Sequence, residues 1–196
     1  MASRLLNRTH RVQWSDFTGQ VPAGASLDAH IETNANLNYG YTTGSYGARL
    51  ADNVTVTIQL LRSQSWAKKQ RINGWPQPAQ ADLLRHEQGH YDITALMGRD
   101  MFIELMALKT RTFSSLSALE TEIRAVGQRY APQRIHTKYD SSSETDHGRK
   151  AAEQRLWDGY LRSAFTQVRT PAVHAPDGTA YKVTLLSVLR RAGKIT

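Results

Sequence analysis

Leu83-Leu84-Arg85-His86-Glu87-Gln88-Gly89-His90-Tyr91-Asp92 places two histidines four residues apart, with a glutamate directly after the first. Residues four apart project from one face of an α-helix, so a helix here aims two imidazoles at one point and sets Glu87 beside them. That is the pattern of a zinc hydrolase: two metal ligands and a base from one turn. A third protein ligand would leave one position for water, whose pKa zinc lowers to about 7. The alternative is an amphipathic helix whose histidines are satisfied by hydrogen bonds. The flanking sequence favours a helix in either case. Pro76 and Pro78 precede a proline-free run from Ala79 to Lys109, Asp82 is a candidate cap or first-turn acid, and Leu83, His90, Met97, Met101, Leu105 and Leu108 recur at helical spacing. Gly89 and Gly98 inside such a helix each cost about 1 kcal/mol relative to Ala, which predicts close packing of neighbouring chain against them.

Upstream, Val54, Val56, Ile58 and Leu60 alternate with Thr55, Thr57 and Gln59, the signature of a half-buried strand. A strand in this position is either a substrate-pairing edge or an ordinary member of a sheet. Val12 to Phe17 reads as a short strand with Trp14 and Phe17 as core aromatics, and Ala29 to Thr43 as one extended strand and a loop. Trp66 and Trp75 either flank a cleft or cover the end of the core. Downstream, Ser115 to Tyr130 predicts a core-packing helix with Leu116, Leu119, Ile123, Val126 and Tyr130 on one face. A polar loop follows from Gln133 to Asp146. A third helix is expected from His147 to Val168, capped by Thr145 or Asp146, so that His147 lies in its first turn. After Pro171 a β-hairpin is expected, with Pro176-Asp177-Gly178 as its turn and Tyr181, Val183, Leu185 and Val188 in its return strand. The expected fold class is α+β: a small, mainly antiparallel sheet packed against a long motif helix and two further helices. Residues 1–196 would form a single domain with its core at about 10–168 and the hairpin extension at 169–196.

Composition narrows the chemistry. The 196 residues include no cysteine, which excludes disulfides and thiolate ligands and leaves His, Asp or Glu to hold any metal. No apolar run is long enough for a signal peptide or a membrane span. A net charge of +8 is compatible with acidic partners, but the basic residues are scattered and no nucleic-acid motif accompanies them, so nucleic acid is disfavoured. Arg190, Arg191 and Lys194 read as solvated surface.

His147, in a polar segment entering a helix, is the favoured third ligand. Glu120, Glu122, Asp140, Glu144 and Asp146 remain alternatives. Tyr139 is the candidate oxyanion donor, a packed loop tyrosine being the other reading. Asp92 is either an orienting carboxylate for His86 or a solvent-facing one. His10, His30, His136 and His174 lack a supporting cluster, and a surface or hydrogen-bonded histidine is the default for each.

Several separated blocks together resemble a bacterial family of otherwise uncharacterised proteins described as secreted zinc-dependent proteases. They are Trp14, Phe17, Gly19 and Pro22; Ser65-Trp66; Leu83 to Ile93; Tyr139-Asp140 with Thr145, His147 and Gly148; and Gln154 with Trp157. Tyr91 departs mildly from the phenylalanine common in that family. The resemblance implies a zincin-like hydrolase with His86, His90 and His147 on zinc and Glu87 as base, and a secreted or periplasmic location. The reading is therefore a zinc metallopeptidase that hydrolyses peptide bonds of a peptide or protein substrate by a zinc-activated water, with Glu87 as general base. The rival is a non-catalytic, zinc-stabilised binding module.

Overall fold

A computed structural model describes residues 2–168 and 182–196 of the protein. In chain order the elements are β1 (Arg4–Leu6), a 3-10 turn (Trp14–Asp16), β2 (Ala29–His30), β3 (Thr33–Asn38), β4 (Tyr41–Gly44), β5 (Gly47–Leu50), β6 (Thr55–Leu60), β7 (Trp66–Ala67), α1 (Lys69–Asn73), α2 (Gln77–Leu108), α3 (Leu116–Arg129), α4 (Gln133–Asp140), α5 (Ala151–Thr166) and α6 (Leu185–Arg191). The class is α+β, with small sheets and several helices.

The motif lies on α2, a helix of 32 residues and roughly 48 Å. Pro76 is its N-cap and Pro78 sits in its first turn, where a missing N–H is no loss. From His86 to Leu108 almost every side chain is buried, as in a helix covered on more than one side. Two apolar clusters do the covering. On one side, Val56 and Ile58 of β6 pack with Tyr91, Ala95, Met101 and Leu105 of α2 and with Leu119, Ile123 and Val126 of α3. On the other, Ile93, Leu96 and Met97 meet Tyr139, Trp157, Leu161, Leu185 and Leu189 from α4, α5 and α6. Gly98 lets the sheet approach, since a Cβ there would lie 2.4 Å from Ile58 Cδ1.

Strand β6 is central in the order β1-β6-β3, parallel to β1 and antiparallel to β3. Strand β3 bonds one edge of β6 along its whole length and β1 bonds Thr55 to Thr57 on the other, which makes β6 an inner strand of its sheet. Strands β2 and β7 form one antiparallel pair and β4 and β5 another, so the stretch from Ala29 to Thr43, expected as one extended strand and a loop, contributes to three strands.

Four local expectations are corrected. Val12 to Phe17 is not a strand, because Asp16 accepts from Gln13 N at 2.9 Å and closes a 3-10 turn, backed by His10 Nε2 and Arg62 Nη2, each at 2.9 Å. The loop expected from Gln133 contains α4. The helix expected from His147 begins only at Ala151, because Asp146, His147 and Gly148 have φ of 49°, 52° and 81°, a left-handed run that no right-handed helix continues. The expected turn Pro176-Asp177-Gly178 and Tyr181 lie outside the described residues, while Leu185 and Val188 fall in α6 rather than in a return strand. Thr184 caps that helix by accepting from Ser187 N at 3.2 Å, and Leu185, Val188 and Leu189 carry a helical period.

The C-terminal helix is fixed by a buried pair on α2. Arg99 binds Asp100 and donates to Ala164 O at 2.7 Å and Val183 O at 3.0 Å, while Asp100 Oδ2 accepts from Leu185 N at 2.8 Å. Burial pushes the Asp100 carboxyl up, against the pull of Arg99.

Candidate metal centre

One turn of α2 presents His86, Glu87 and His90, all buried. Helix α4 crosses above them with His136, Tyr139 and Asp140, and the turn after it brings His147. Each motif histidine is tied at its outer nitrogen. Gln154 donates through Nε2 to Tyr139 Oη at 2.6 Å and to Asp158 Oδ1 at 2.8 Å, which turns its Oε1 toward His86 Nδ1 at 3.1 Å. His86 Nδ1 must then donate, and its Nε2 keeps a free lone pair. His90 Nδ1 lies 2.9 Å from His136 Nδ1, and His136 Nε2 lies 3.0 Å from Thr94 Oγ1, itself 2.7 Å from Thr33 Oγ1. Burial pushes His136 down to about 3, with His90 adding to the effect, so it is neutral with one N–H. Donation of that N–H to Thr94 lets His136 Nδ1 accept from His90 and frees His90 Nε2.

The two freed nitrogens are 3.3 Å apart, and Asp140 Oδ1 lies 3.1 Å from the first and 3.0 Å from the second. That oxygen is buried and makes no hydrogen bond of acceptable geometry. Burial alone would raise the Asp140 carboxyl; when the facing nitrogens of His86 and His90 carry protons they outweigh it and hold the group well below the usual carboxylate range, and a cation in place of those protons acts in the same sense. His147 Nδ1 stands 3.7 Å from Asp140 Oδ1, and ligand atoms of His86, Asp140 and His147 fall within 4.8 Å of one another. Donors around a tetrahedral ion at about 2.0–2.1 Å are separated by about 3.3 Å. The residues therefore fit a zinc-sized cation with nitrogen and oxygen ligands.

Glu87 is 3% exposed and accepts from Ile31 N at 3.0 Å through Oε2. It opens onto a cleft of about 230 Å³ whose lining includes His30, Trp75, Leu83, His86, Asp140 and His147. Of the two loop tryptophans, Trp75 flanks the cleft, whereas Trp66 is buried in β7 beside His30.

The turn that carries His147 is strained: left-handed backbone at the non-glycine residues Asp146 and His147 costs about 1–3 kcal/mol each. It is also tightly held. Thr145 Oγ1 binds Tyr139 O, and Glu144, 4% exposed, accepts from Trp157 Nε1 at 3.0 Å and Lys194 Nζ at 2.6 Å and pairs with Lys138 at 3.1 Å. Lys194 is thus a latch on this turn and not the solvated charge expected of it. Gly148 lies against His86, where a Cβ would come within 2.9 Å of His86 Cβ.

Tyr139 is beside the centre but not aimed into it. Its ring stacks on His86 with centroids 4.6 Å apart and planes 9° apart, and its hydroxyl donates to His86 O at 3.2 Å while accepting from Gln154. Burial raises the phenol well above its ordinary value. Its geometry is that of a residue positioning His86, and the expected oxyanion donation finds no support in it. Gly89 makes room for it: a Cβ there would lie 2.2 Å from Tyr139 Oη. What packs against that glycine is a side chain, not a neighbouring backbone.

The other candidates separate cleanly. Glu120 and Glu122 lie on α3, where Glu122 faces Arg111 at 3.7 Å. Asp146 faces Arg149 at 4.0 Å, and His10 is paired with Asp16. His174 lies outside the described residues. Asp92 does not orient His86: it accepts from Gln88 Nε2 at 2.9 Å in a groove with Arg8, Arg11 and Phe165. Sequence reasoning missed His136 and Gln154 as orienting groups. The usable signal was spacing: His136 and Asp140, like Gln154 and Asp158, stand four apart on one helix face.

An α+β chain whose long central helix gathers three histidines and an aspartate beside a buried glutamate defines a candidate metal-centre protein. Its sequence matches a family model, described as bacterial protein of unknown function (DUF922), over residues 13–148, more than half of the chain. The chain belongs to that family. No curated protein and no solved structure matches it. Among the described residues no helix is long and apolar enough to cross a membrane.

Proposed function

We propose that the protein is a zinc-dependent metallopeptidase of zincin-like arrangement. The observation that carries this reading is the outward tethering of His86 Nδ1 and His90 Nδ1, which leaves two Nε2 atoms converging 3.3 Å apart next to an unpartnered carboxylate oxygen. His86 and His90, with His147 or Asp140, would hold the ion. Zinc supplies Lewis acidity, which acidifies water and polarises a carbonyl. Glu87 does the proton work. Ile31 N–H fixes its Oε2, and Oε1, with no protein partner among the described residues, takes a proton from water and returns it to the leaving amine nitrogen as the C–N bond breaks. Gln154 and His136 hold the two imidazoles in the tautomer this arrangement needs.

A second reading is a zinc-stabilised binding module without turnover. The presence of both Asp140 and His147 near the motif histidines favours it, since structural zinc sites are closed and catalytic ones keep a position open. Metal analysis and an unbiased peptide-library digest of the wild type and Glu87→Gln separate the two. The hydrolase reading expects one zinc per chain in both proteins, with cleavage in the wild type and a loss of about 10³-fold or more in the variant. Equal cleavage by both removes Glu87 from the chemistry. Zinc without cleavage in either leaves the binding module.

A further inference from the structure

We infer that Asp140 is the third fixed donor of the centre and that His147 is a displaceable fourth one, which covers the ion at rest. The inference rests on the metal reading above and assigns the parts of the same site. Three donor atoms form a nearly equilateral triangle with edges of 3.0, 3.1 and 3.3 Å: His86 Nε2, His90 Nε2 and Asp140 Oδ1. That is the spacing of one face of a zinc tetrahedron. His147 Nδ1 lies farther out, at 3.7 Å from the same oxygen.

The supports of the two residues differ in the same sense. Asp140 ends α4, whose preceding residue Tyr139 is fully buried and stacked on His86 and whose His136, four positions earlier, orients His90. One rigid element thus supplies a donor and the partner of another donor. The side chain of His147 is 37% exposed, and its backbone belongs to the left-handed run between α4 and α5. Its side chain can leave the ion by rotating toward solvent, without unpacking any helix. A hydrolytic centre needs a position for water, and four protein donors leave none. Of the four, His147 is the one whose removal costs the fold least. An extended peptide entering the cleft past Trp75 and His30 meets His147 on the lining, so substrate can displace it and expose the centre only when the cleft is filled.

The test uses the full chain stripped of metal and reloaded with Co²⁺, whose visible absorption reports ligand number and whose affinity is measured by competition with a chelator. Asp140→Asn and His147→Ala are compared with the wild type, with azide as a probe of an open position. Asp140→Asn should weaken Co²⁺ by at least about 100-fold and His147→Ala by less than about tenfold. Azide should perturb the His147→Ala spectrum at a concentration at least about tenfold lower than it needs for the wild type. Far-UV circular dichroism of the metal-free variants checks folding, and Asp140→Glu, which keeps the carboxylate at a shifted reach, should recover part of the lost affinity if Asp140 is a donor. Equal loss of metal in both variants, or unchanged azide sensitivity in His147→Ala, overturns the inference while leaving the metal reading intact. A wild type that takes up no Co²⁺ or Zn²⁺ overturns both.

Discussion

Replacing Gly89 with Ala sets two known effects of opposite sign against each other. In an exposed helix interior the change stabilises by about 1 kcal/mol, because Ala restricts the unfolded chain and propagates a helix better. Here the added methyl would sit 2.2 Å from Tyr139 Oη, 2.7 Å from Cζ and 3.1 Å from Cε1. The ring cannot yield easily. It is fully buried, stacked on His86 at 4.6 Å and in edge contact with Trp157 at 5.1 Å. Overpacking of this kind costs about 1–3 kcal/mol, and displacing the hydroxyl from Gln154 and His86 O costs about 1 kcal/mol for each hydrogen bond. After the propensity gain, Gly89→Ala should destabilise the protein by about 2–4 kcal/mol, which for a chain of this size lowers Tm by roughly 4–16 °C. Because Tyr139 adjoins Asp140 and stacks on His86, zinc affinity should fall as well. Combining the change with Tyr139→Phe removes the worst contact, so the double variant should be more stable than additivity of the singles allows. Calorimetric melts of the four proteins decide the matter. A Gly89→Ala protein that melts at or above the wild-type temperature with unaltered zinc binding would refute the packing argument.

Other expectations follow from the same geometry. Burial pushes the Asp92 carboxyl up to about 6, against a Gln88 hydrogen bond and with the Asp158 charge adding to it. Its ionised form is therefore penalised in the folded state: wild-type stability should fall as pH rises from about 4 to 6, and Asp92→Asn should be more stable at pH 7 by up to about 3 kcal/mol, an advantage that vanishes below about pH 4 in urea titrations. Gln154→Ala takes the acceptor from His86 Nδ1 and should cost about 10–100-fold in zinc affinity by competition calorimetry, whereas Gln154→Glu paired with Asp158→Asn, which keeps the acceptor oxygen without setting two carboxylates together, should lose far less. Lys194→Ala leaves the nearly buried Glu144 with Lys138 and Trp157 alone and should lower stability by about 1–2 kcal/mol, with faster amide exchange in residues 141–150 than in α3. Uniform exchange would show that the tail does not hold that turn.

The motif and its helix were legible because both rest on short-range spacing: His86, Glu87 and His90 share a face wherever the chain is helical, and Pro76 and Pro78 mark where the helix can start. Strand β6 was legible for the same reason, through its period of two. What sequence could not supply was tertiary. The polar composition after Tyr130 reads as loop and hides the start of α4, whose N-cap is Pro132. His136 therefore passed for an isolated histidine when it is one turn from Asp140 and bonded to His90. The late start of α5 comes from the left-handed run at Asp146 and His147, residues tolerated there because the turn is held by Tyr139, Trp157 and Lys194 from three different elements. Helix α6 was read as strand from Tyr181, Val183, Leu185 and Val188, an alternation that a short apolar run also shows when it is helical.

Among the described residues helix α2 is the one element that gives buried side chains to both apolar clusters, and the candidate centre draws on each side of it: Glu87 is anchored by Ile31 beside the sheet, while Asp140 and His147 arrive with the helical layer. Neither half alone carries a complete set of reacting groups. A chain still emerging from the ribosome, with α2 made but α4 and the turn after it unsynthesised, holds two imidazoles and a glutamate without the donors of the helical layer. On the metallopeptidase reading proposed above, activity would then appear only after α4 and the turn carrying His147 have packed on α2.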